Sequence, residues 1–224
     1  MTAAVLLVAK APVAGVAKTR LMSRFTPEQA ADIAAAALVD TLDTALVAAA
    51  ERADTQVVVA LTGDLNRAAR HDDLTARLAR TVVIDQRGDA FGERLLYAHR
   101  DAADAVDRGA VMQIGMDTPQ LTTAALWSGL DALDDHDVAL GPAADGGWWG
   151  LAVSDARGSE VLPSVPMSQA DTGARTLQAL RDAGLSVALL DSYADVDTPD
   201  DVATVASMCL PSSAFGRFAG ASVR

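Results

Sequence analysis

The residues able to do chemistry lie in one early loop and two aspartate motifs. The loop reads Lys10-Ala11-Pro12-Val13-Ala14-Gly15-Val16-Ala17-Lys18-Thr19-Arg20-Leu21, and it holds the only two lysines of the chain. Lys10, Lys18 and Arg20 can neutralise a diphosphate or triphosphate, the arginine gripping two oxygens at once. Gly15 lets the backbone approach a ligand closely, and loop amides can point at phosphate oxygens. The Gly-Lys-Ser/Thr ending of a Walker loop is missing, and so is Gly-x-Gly-x-x-Gly. The plain alternative is an exposed loop with solvated cations.

The apolar run Val111–Gly115 ends at Met116-Asp117-Thr118-Pro119, and the same tripeptide returns in Asp195-Val196-Asp197-Thr198-Pro199-Asp200-Asp201. Mg²⁺ on a nucleotide takes one or two carboxylates, with phosphates and waters completing its shell. Asp117 and Asp197 meet that need, with Mn²⁺ as the alternative ion, if their segments lie together in the fold. Asp and Thr also favour turns and helix caps, which leaves a purely structural reading open.

Two glycine-bearing stretches accompany them. Gly141-Pro142-Ala143-Ala144-Asp145-Gly146-Gly147-Trp148-Trp149-Gly150 offers a backbone that can pass close to a ligand, and the Asp145 carboxylate beside it. Trp148 and Trp149 alternate across the following strand, so one faces the core and the other is free to line a cleft for a sugar or base. In Gln86-Arg87-Gly88-Asp89-Ala90-Phe91-Gly92-Glu93-Arg94-Leu95, Gly88 permits a tight ligand-contacting loop with Arg94 nearby. Glu93 reads as part of a helix start.

Other chemistries find little support. His71, His99 and His136 stand apart, with no serine or cysteine motif beside them, and no zinc spacing is present. Cys209 is the single cysteine, so no internal disulfide is expected and a reducing, cytoplasmic setting fits. A formal charge of −12 repels nucleic-acid backbones. No apolar run is expected to cross a bilayer, and no basic leader precedes Ala3–Ala9.

Apolar runs alternate with helical patterns throughout, which predicts one α/β domain with a mostly parallel twisted sheet and helices on both faces. The strands fall at Ala3–Ala9, Thr55–Leu61, Thr81–Asp85, Ala110–Gly115, Asp137–Gly141, Trp148–Val153 and Leu185–Leu190. A long helix starts at Pro27, after the capping residue Thr26, and runs to about Ala50. Shorter helices are expected over Gly92–Asp107, Thr122–Leu133, Asp171–Ala183 and Pro199–Met208. The domain spans 1–208, and a small-residue tail at 209–224 is expected to be loosely ordered. In such sheets, ligands bind at the carboxyl ends of the strands.

These motifs together resemble bacterial proteins of the glycosyltransferase-A superfamily, some of them named arsenosugar-biosynthesis glycosyltransferases. The likeness rests on Ala9–Leu21, Gly88–Arg94, Gly115–Leu121, Gly141–Gly147 and Asp195–Asp201. It covers nearly the whole chain to about Ser207. More distantly, the cationic loop and paired aspartates are similar to those of 2-phospho-lactate guanylyltransferases and molybdenum-cofactor nucleotidyltransferases. Two departures touch the acceptor side. Trp148-Trp149 stand where the family usually has tyrosines, and Met167-Ser168-Gln169 replace Trp-Ser-Thr. By that correspondence Ser168, Gly146, Gly147, Trp148 and Trp149 join the acceptor or donor contacts. The resemblance implies a nucleotide-diphospho-sugar transferase fold. The expected activity is Mg²⁺-dependent glycosyl transfer from a nucleotide-sugar to a small acceptor, with Asp117 and Asp145 catalytic. Nucleotidyl transfer releasing pyrophosphate is the alternative, and a non-catalytic nucleotide-binding protein is a third. A homodimer is compatible with either enzyme.

Overall fold

A computed structural model describes residues 2–220. The first strand, β1 (Ala3–Lys10), is apolar on both sides and almost wholly buried, as a central parallel strand must be. A short 3₁₀ turn (Thr19–Ser23) leads to α1 (Pro27–Glu51). The start of α1 is fixed by Pro27 in its first turn and by a reciprocal cap. Thr26 Oγ1 accepts from Gln29 N at 3.2 Å, and Gln29 Oε1 accepts from Thr26 N at 2.9 Å. Then come β2 (Thr55–Thr62), α2 (His71–Leu78), β3 (Val82–Asp85), α3 (Phe91–Ala105), β4 (Ala110–Gly115) and α4 (Thr123–Asp131). The second half holds β5 (Val138–Pro142), β6 (Trp148–Val153), the single turn α5 (Arg157–Glu160), α6 (Thr172–Asp182), β7 (Val187–Leu189) and α7 (Pro199–Met208).

The strands form one seven-stranded sheet in the order β3-β2-β1-β4-β6-β5-β7. All neighbours are parallel except β6, which runs antiparallel to β4 and to β5. The sheet is therefore mixed. The turn 143–147 between β5 and β6 is too short for a crossover helix, so the two strands must return as a hairpin. A first layer of α1, α2 and α4 covers one face, and α3 and α6 cover the other. From β1 the chain passes to β2 on one side and later to β4 on the other, which opens a crevice at the carboxyl ends of these strands.

Two expectations need correction, and one helix adds to the elements expected. The helix α2 was not foreseen; its eight residues carry only two buried apolar side chains, Leu74 and Leu78. α1 is long and apolar enough, by length and composition, to span a membrane, contrary to the expectation for every run; alanine supplies its apolar length, and in this fold it is mostly buried. The tail also differs from the loose order expected for it. Phe215 is fully buried in a third cluster with Leu21, Ile33, Val202 and Val205, and Asp40 of α1 accepts from Ala214 N and Phe215 N, both at 2.8 Å. Of that tail, 221–224 lie outside the described residues.

Candidate functional site

β1 and β4 lie side by side, and each empties into a motif singled out above. The chain after β7 returns to the same place. Val196 N donates to the Asp117 carbonyl at 2.9 Å, and the Gln120 amide donates to the Ala194 carbonyl. Two segments remote in sequence are thus laid against each other, and Asp117 meets Asp195 and Asp197.

Lys18 sits between them. Its backbone is left-handed (φ 48°, ψ 49°), a conformation that costs a non-glycine residue about 1 kcal/mol or more. From there its ammonium reaches Asp117 Oδ2 at 2.7 Å and Asp197 Oδ1 at 3.7 Å. Arg20 forms a second ion pair with Asp197 from the solvent side. The Lys18 side chain is 14% exposed and each aspartate side chain 28%. Burial pulls the Lys18 ammonium down, but the charge of Asp117 and its hydrogen bond, with Asp197 and Asp195 behind, outweigh it and leave the group above its ordinary value. Asp195 shows the opposite imbalance. Burial first, then the charge of Asp117, push its carboxyl up to about 6, with Lys18 opposing and Asp145 adding.

The remaining cations are used differently. Lys10 is exposed and donates to the Val16 carbonyl at 3.2 Å, which braces the loop. Gly15 has φ 74° and faces open space. Gly88, at φ 110°, packs against Glu93, whose carboxylate accepts from Asp89 N at 3.0 Å and Ala90 N at 3.2 Å. Glu93 is thus the helix start expected of it. Arg94 lies in the first turn of α3 over Phe91, with its Nε buried and without a partner, and among the described residues it pairs with none of the aspartates.

The β5–β6 turn forms the other wall. Asp145 is exposed, its Oδ1 accepting from Gly147 N at 2.8 Å, and it lies within electrostatic reach of Asp195. Gly146 has φ 88°, and a Cβ there would stand 1.8 Å from the Ala170 carbonyl. Its own carbonyl accepts from Gly173 N at 2.8 Å, so the glycines lock this turn onto the start of α6. Ser168 is exposed in the connecting loop at φ 59°. The two tryptophans part company, as strand alternation requires. Trp148 is half-buried on the α3 side, its indole nitrogen without a partner. Trp149 is a correction to its role as a contact. It is buried on the α4 side, donates to the Asp191 carbonyl at 2.9 Å and meets Tyr193 edge-on at 5.2 Å.

One residue escaped the sequence reading. Asp195 lies two positions before Asp197, and residues i and i+2 of an extended segment share a side. That spacing was the available signal.

The donors suit a hard divalent cation. They are carboxylate oxygens, those of Asp117, Asp195 and Asp197 against the two cations Lys18 and Arg20. Gly115 adds room, for a Cβ there would lie 2.9 Å from Asp117 Oδ1. Among the described residues no cage of three His, Cys, Asp or Glu ligands is formed. A donor set of one or two carboxylates is the Mg²⁺ or Mn²⁺ arrangement, in which the cargo's phosphates complete the shell.

Comparison with solved structures places the fold. A protein from Desulfovibrio desulfuricans G20, provisionally named a nucleotide-diphospho-sugar transferase, matches with a TM-score of 0.82 and 25% identity over 98% of this chain and 96% of its own. A CMP:2-keto-3-deoxy-manno-octonic acid synthetase complexed with CTP matches with a TM-score of 0.54 and 14% identity, over 92% and 97% of the two chains. Rv0371C of Mycobacterium tuberculosis H37Rv, in complex with manganese, gives 0.51 and 17%, over 92% and 98%. The fold is that of the nucleotide-diphospho-sugar transferases, with a mixed sheet. No curated protein matches the sequence. A family profile matches residues 41–169, more than half of the chain, and the protein belongs to that family, described as uncharacterized proteins conserved in bacteria (DUF2064).

Proposed function

We propose that this protein is a Mg²⁺- or Mn²⁺-dependent transferase that uses a nucleotide, and that it moves a glycosyl group from a nucleotide-diphospho-sugar to a small acceptor. The observation that carries this reading is the meeting of Lys18 with Asp117 and Asp197 at the carboxyl ends of β1 and β4. Asp117 and Asp197 would hold the metal, which when bound would neutralise charge on the diphosphate leaving group. Lys18 and Arg20 lie where they can grip the phosphate oxygens, and Gly15 leaves the loop backbone open to them. Asp145, exposed at the rim, is the carboxylate assigned to take the proton of an incoming hydroxyl. Trp148 offers an aromatic surface to sugar or base from the α3 side. Resemblance to arsenosugar-biosynthesis glycosyltransferases points to a small hydroxyl-bearing acceptor.

Nucleotidyl transfer is the second reading, and the synthetase of this fold complexed with CTP favours it. The same loop would then cradle a triphosphate while a phosphorylated acceptor attacks its α-phosphorus. Incubation with Mg²⁺, small hydroxyl and phosphate acceptors, and panels of nucleotide-sugars and nucleoside triphosphates separates the two. Nucleoside diphosphate released from a nucleotide-sugar is expected, whereas pyrophosphate released from a triphosphate selects the second reading. Binding without either product would leave neither standing.

A further inference from the structure

The cations that would bind phosphate and the carboxylates that would bind metal are already bound to each other. Lys18 spans Asp117 and Asp197, and Arg20 holds Asp197 from outside. The backbone of Lys18 is held in a left-handed conformation, with its ammonium among the aspartates. Lys10 is not part of this arrangement, being spent on the Val16 carbonyl.

We propose that Lys18, seconded by Arg20, is an internal counter-cation that makes metal and nucleotide bind as a coupled pair, a deduction that rests on the metal and phosphate roles proposed above. A divalent ion arriving alone must take the place of an ammonium and leaves that ammonium without its carboxylates. A polyphosphate arriving alone must draw Lys18 away and leaves Asp117, Asp195 and Asp197 facing one another without it. When both arrive, the cations pass to the phosphates and the carboxylates to the metal, and every charge keeps a partner. Coupling of this kind is reciprocal: whatever factor the metal adds to phosphate affinity, phosphate returns to the metal. The contribution of Lys18 thus changes sign between the two ligands.

The test uses base-independent probes on the full chain: Mn²⁺ alone, followed by electron paramagnetic resonance of the free ion, and Mg²⁺-pyrophosphate, followed by calorimetry. Lys18→Met is expected to tighten Mn²⁺ alone by on the order of tenfold or more, since a like charge a few ångströms away is removed. The same variant is expected to weaken Mg²⁺-pyrophosphate by a similar factor. A merely structural role would move both affinities in one direction. Arg20→Gln guards against a folding defect, because that side chain is 71% exposed; it should shift both affinities in the same opposed senses by a smaller factor. Lys18→Arg, which keeps the charge, should restore weak Mn²⁺ binding. Mn²⁺ affinity unchanged or weakened in both Lys18→Met and Arg20→Gln overturns the proposal. Failure of the proposed function reads differently, as opposed shifts that persist while no nucleotide panel is turned over.

Discussion

Two groups of polar side chains in this molecule are handled in opposite ways. At the carboxyl ends of β1 and β4, Asp117, Asp195 and Asp197 crowd around Lys18 and Arg20, with Asp145 near. Midway along the sheet, His99 of α3 meets Gln113 of β4, with Nε2 and Oε1 2.8 Å apart. Burial pushes His99 down to about 4, with the Gln113 hydrogen bond opposing, so the ring is neutral at ordinary pH. Gln113 Oε1 can only accept, which makes Nε2 the protonated nitrogen. The interior pair is uncharged and satisfies one ring nitrogen, while His99 Nδ1 stays buried without a hydrogen-bond partner among the described residues. The cluster at the strand ends carries more carboxylates than cations and gains nothing for the core. A carboxylate excess of this kind fits the ligand site proposed above.

Removing one charge from the cluster is the most direct way to break this contrast. Asp117→Asn should lower turnover about 10³-fold or more, since several kcal/mol of charge stabilisation in the transition state would go with it. Its melting temperature should hold or fall slightly, because Lys18 exchanges the Asp117 carboxylate for an amide oxygen and keeps Asp197. Steady-state rates together with a thermal melt check both halves. Turnover within tenfold of the wild type would remove Asp117 from the site.

The interior pair predicts the reverse: a change in stability with activity intact. His99 has a folded value near 4 against an ordinary 6.5. Below 6.5 the unfolded chain takes up a proton that the native state refuses. Stability is therefore fully present above pH 6.5 and drains away as pH falls toward 4, by about 3 kcal/mol at 1.36 kcal/mol per unit. In His99→Gln this part of the slope should vanish. Denaturant melts of both proteins between pH 7 and 4 would show their stabilities converging as acid is added. Parallel curves would mean that His99 is charged in the native state or bound to something else.

Much of this contrast was legible beforehand, and the reasons for the rest are physical. β1, α1 and the helix after Asp-Thr-Pro declared themselves through apolar runs, Pro27 and the cap residues, because these signals are local. Asp117 and Asp197 could be paired only as a conjecture. Their meeting depends on β4 lying next to β1 and on the backbone bond from Val196 to Asp117, neither of which is written in a short window. Antiparallel β6 was hidden for a similar reason, since its apolar residues read like those of any buried strand. Asp195 was passed over because it becomes unusual only when Asp117 is brought against it. Phe215 was lost among the small residues of the tail, and its anchor, Asp40, lies far away on α1.

Asp40 sharpens the comparison as a buried carboxylate that the fold itself satisfies. It is 7% exposed, and its two oxygens each accept from one backbone N–H, of Ala214 and Phe215. Asp40→Ala should cost about 2–3 kcal/mol, for it leaves two buried donors unmatched and frees the segment carrying Phe215. Metal affinity should stay at the wild-type value. Protease cleavage within 209–220 should speed up, and a variant as resistant as the wild type would show that the tail is held by Phe215 packing alone.

The smallest effect is expected where the two regimes touch, inside Asp197-Thr198-Pro199-Asp200-Asp201. Asp201 accepts from Asp197 N at 3.1 Å, from Thr198 N at 2.6 Å and from Thr198 Oγ1 at 2.9 Å, so its carboxylate closes the first turn of α7. Asp197, four residues earlier, points its carboxylate the other way, to Lys18 and Arg20. Asp201→Ala should therefore cost about 1 kcal/mol of stability, as loss of a helix-start acceptor does. Turnover should change by less than tenfold, because the Asp197 backbone remains tied through Val196 to Asp117. Asp197→Ala should invert the pattern, with little loss of stability and a large loss of rate. Equal kinetic damage from both would mean that the carboxylates of this motif act as one unit, and the line between fold and site would have to be drawn after Asp201.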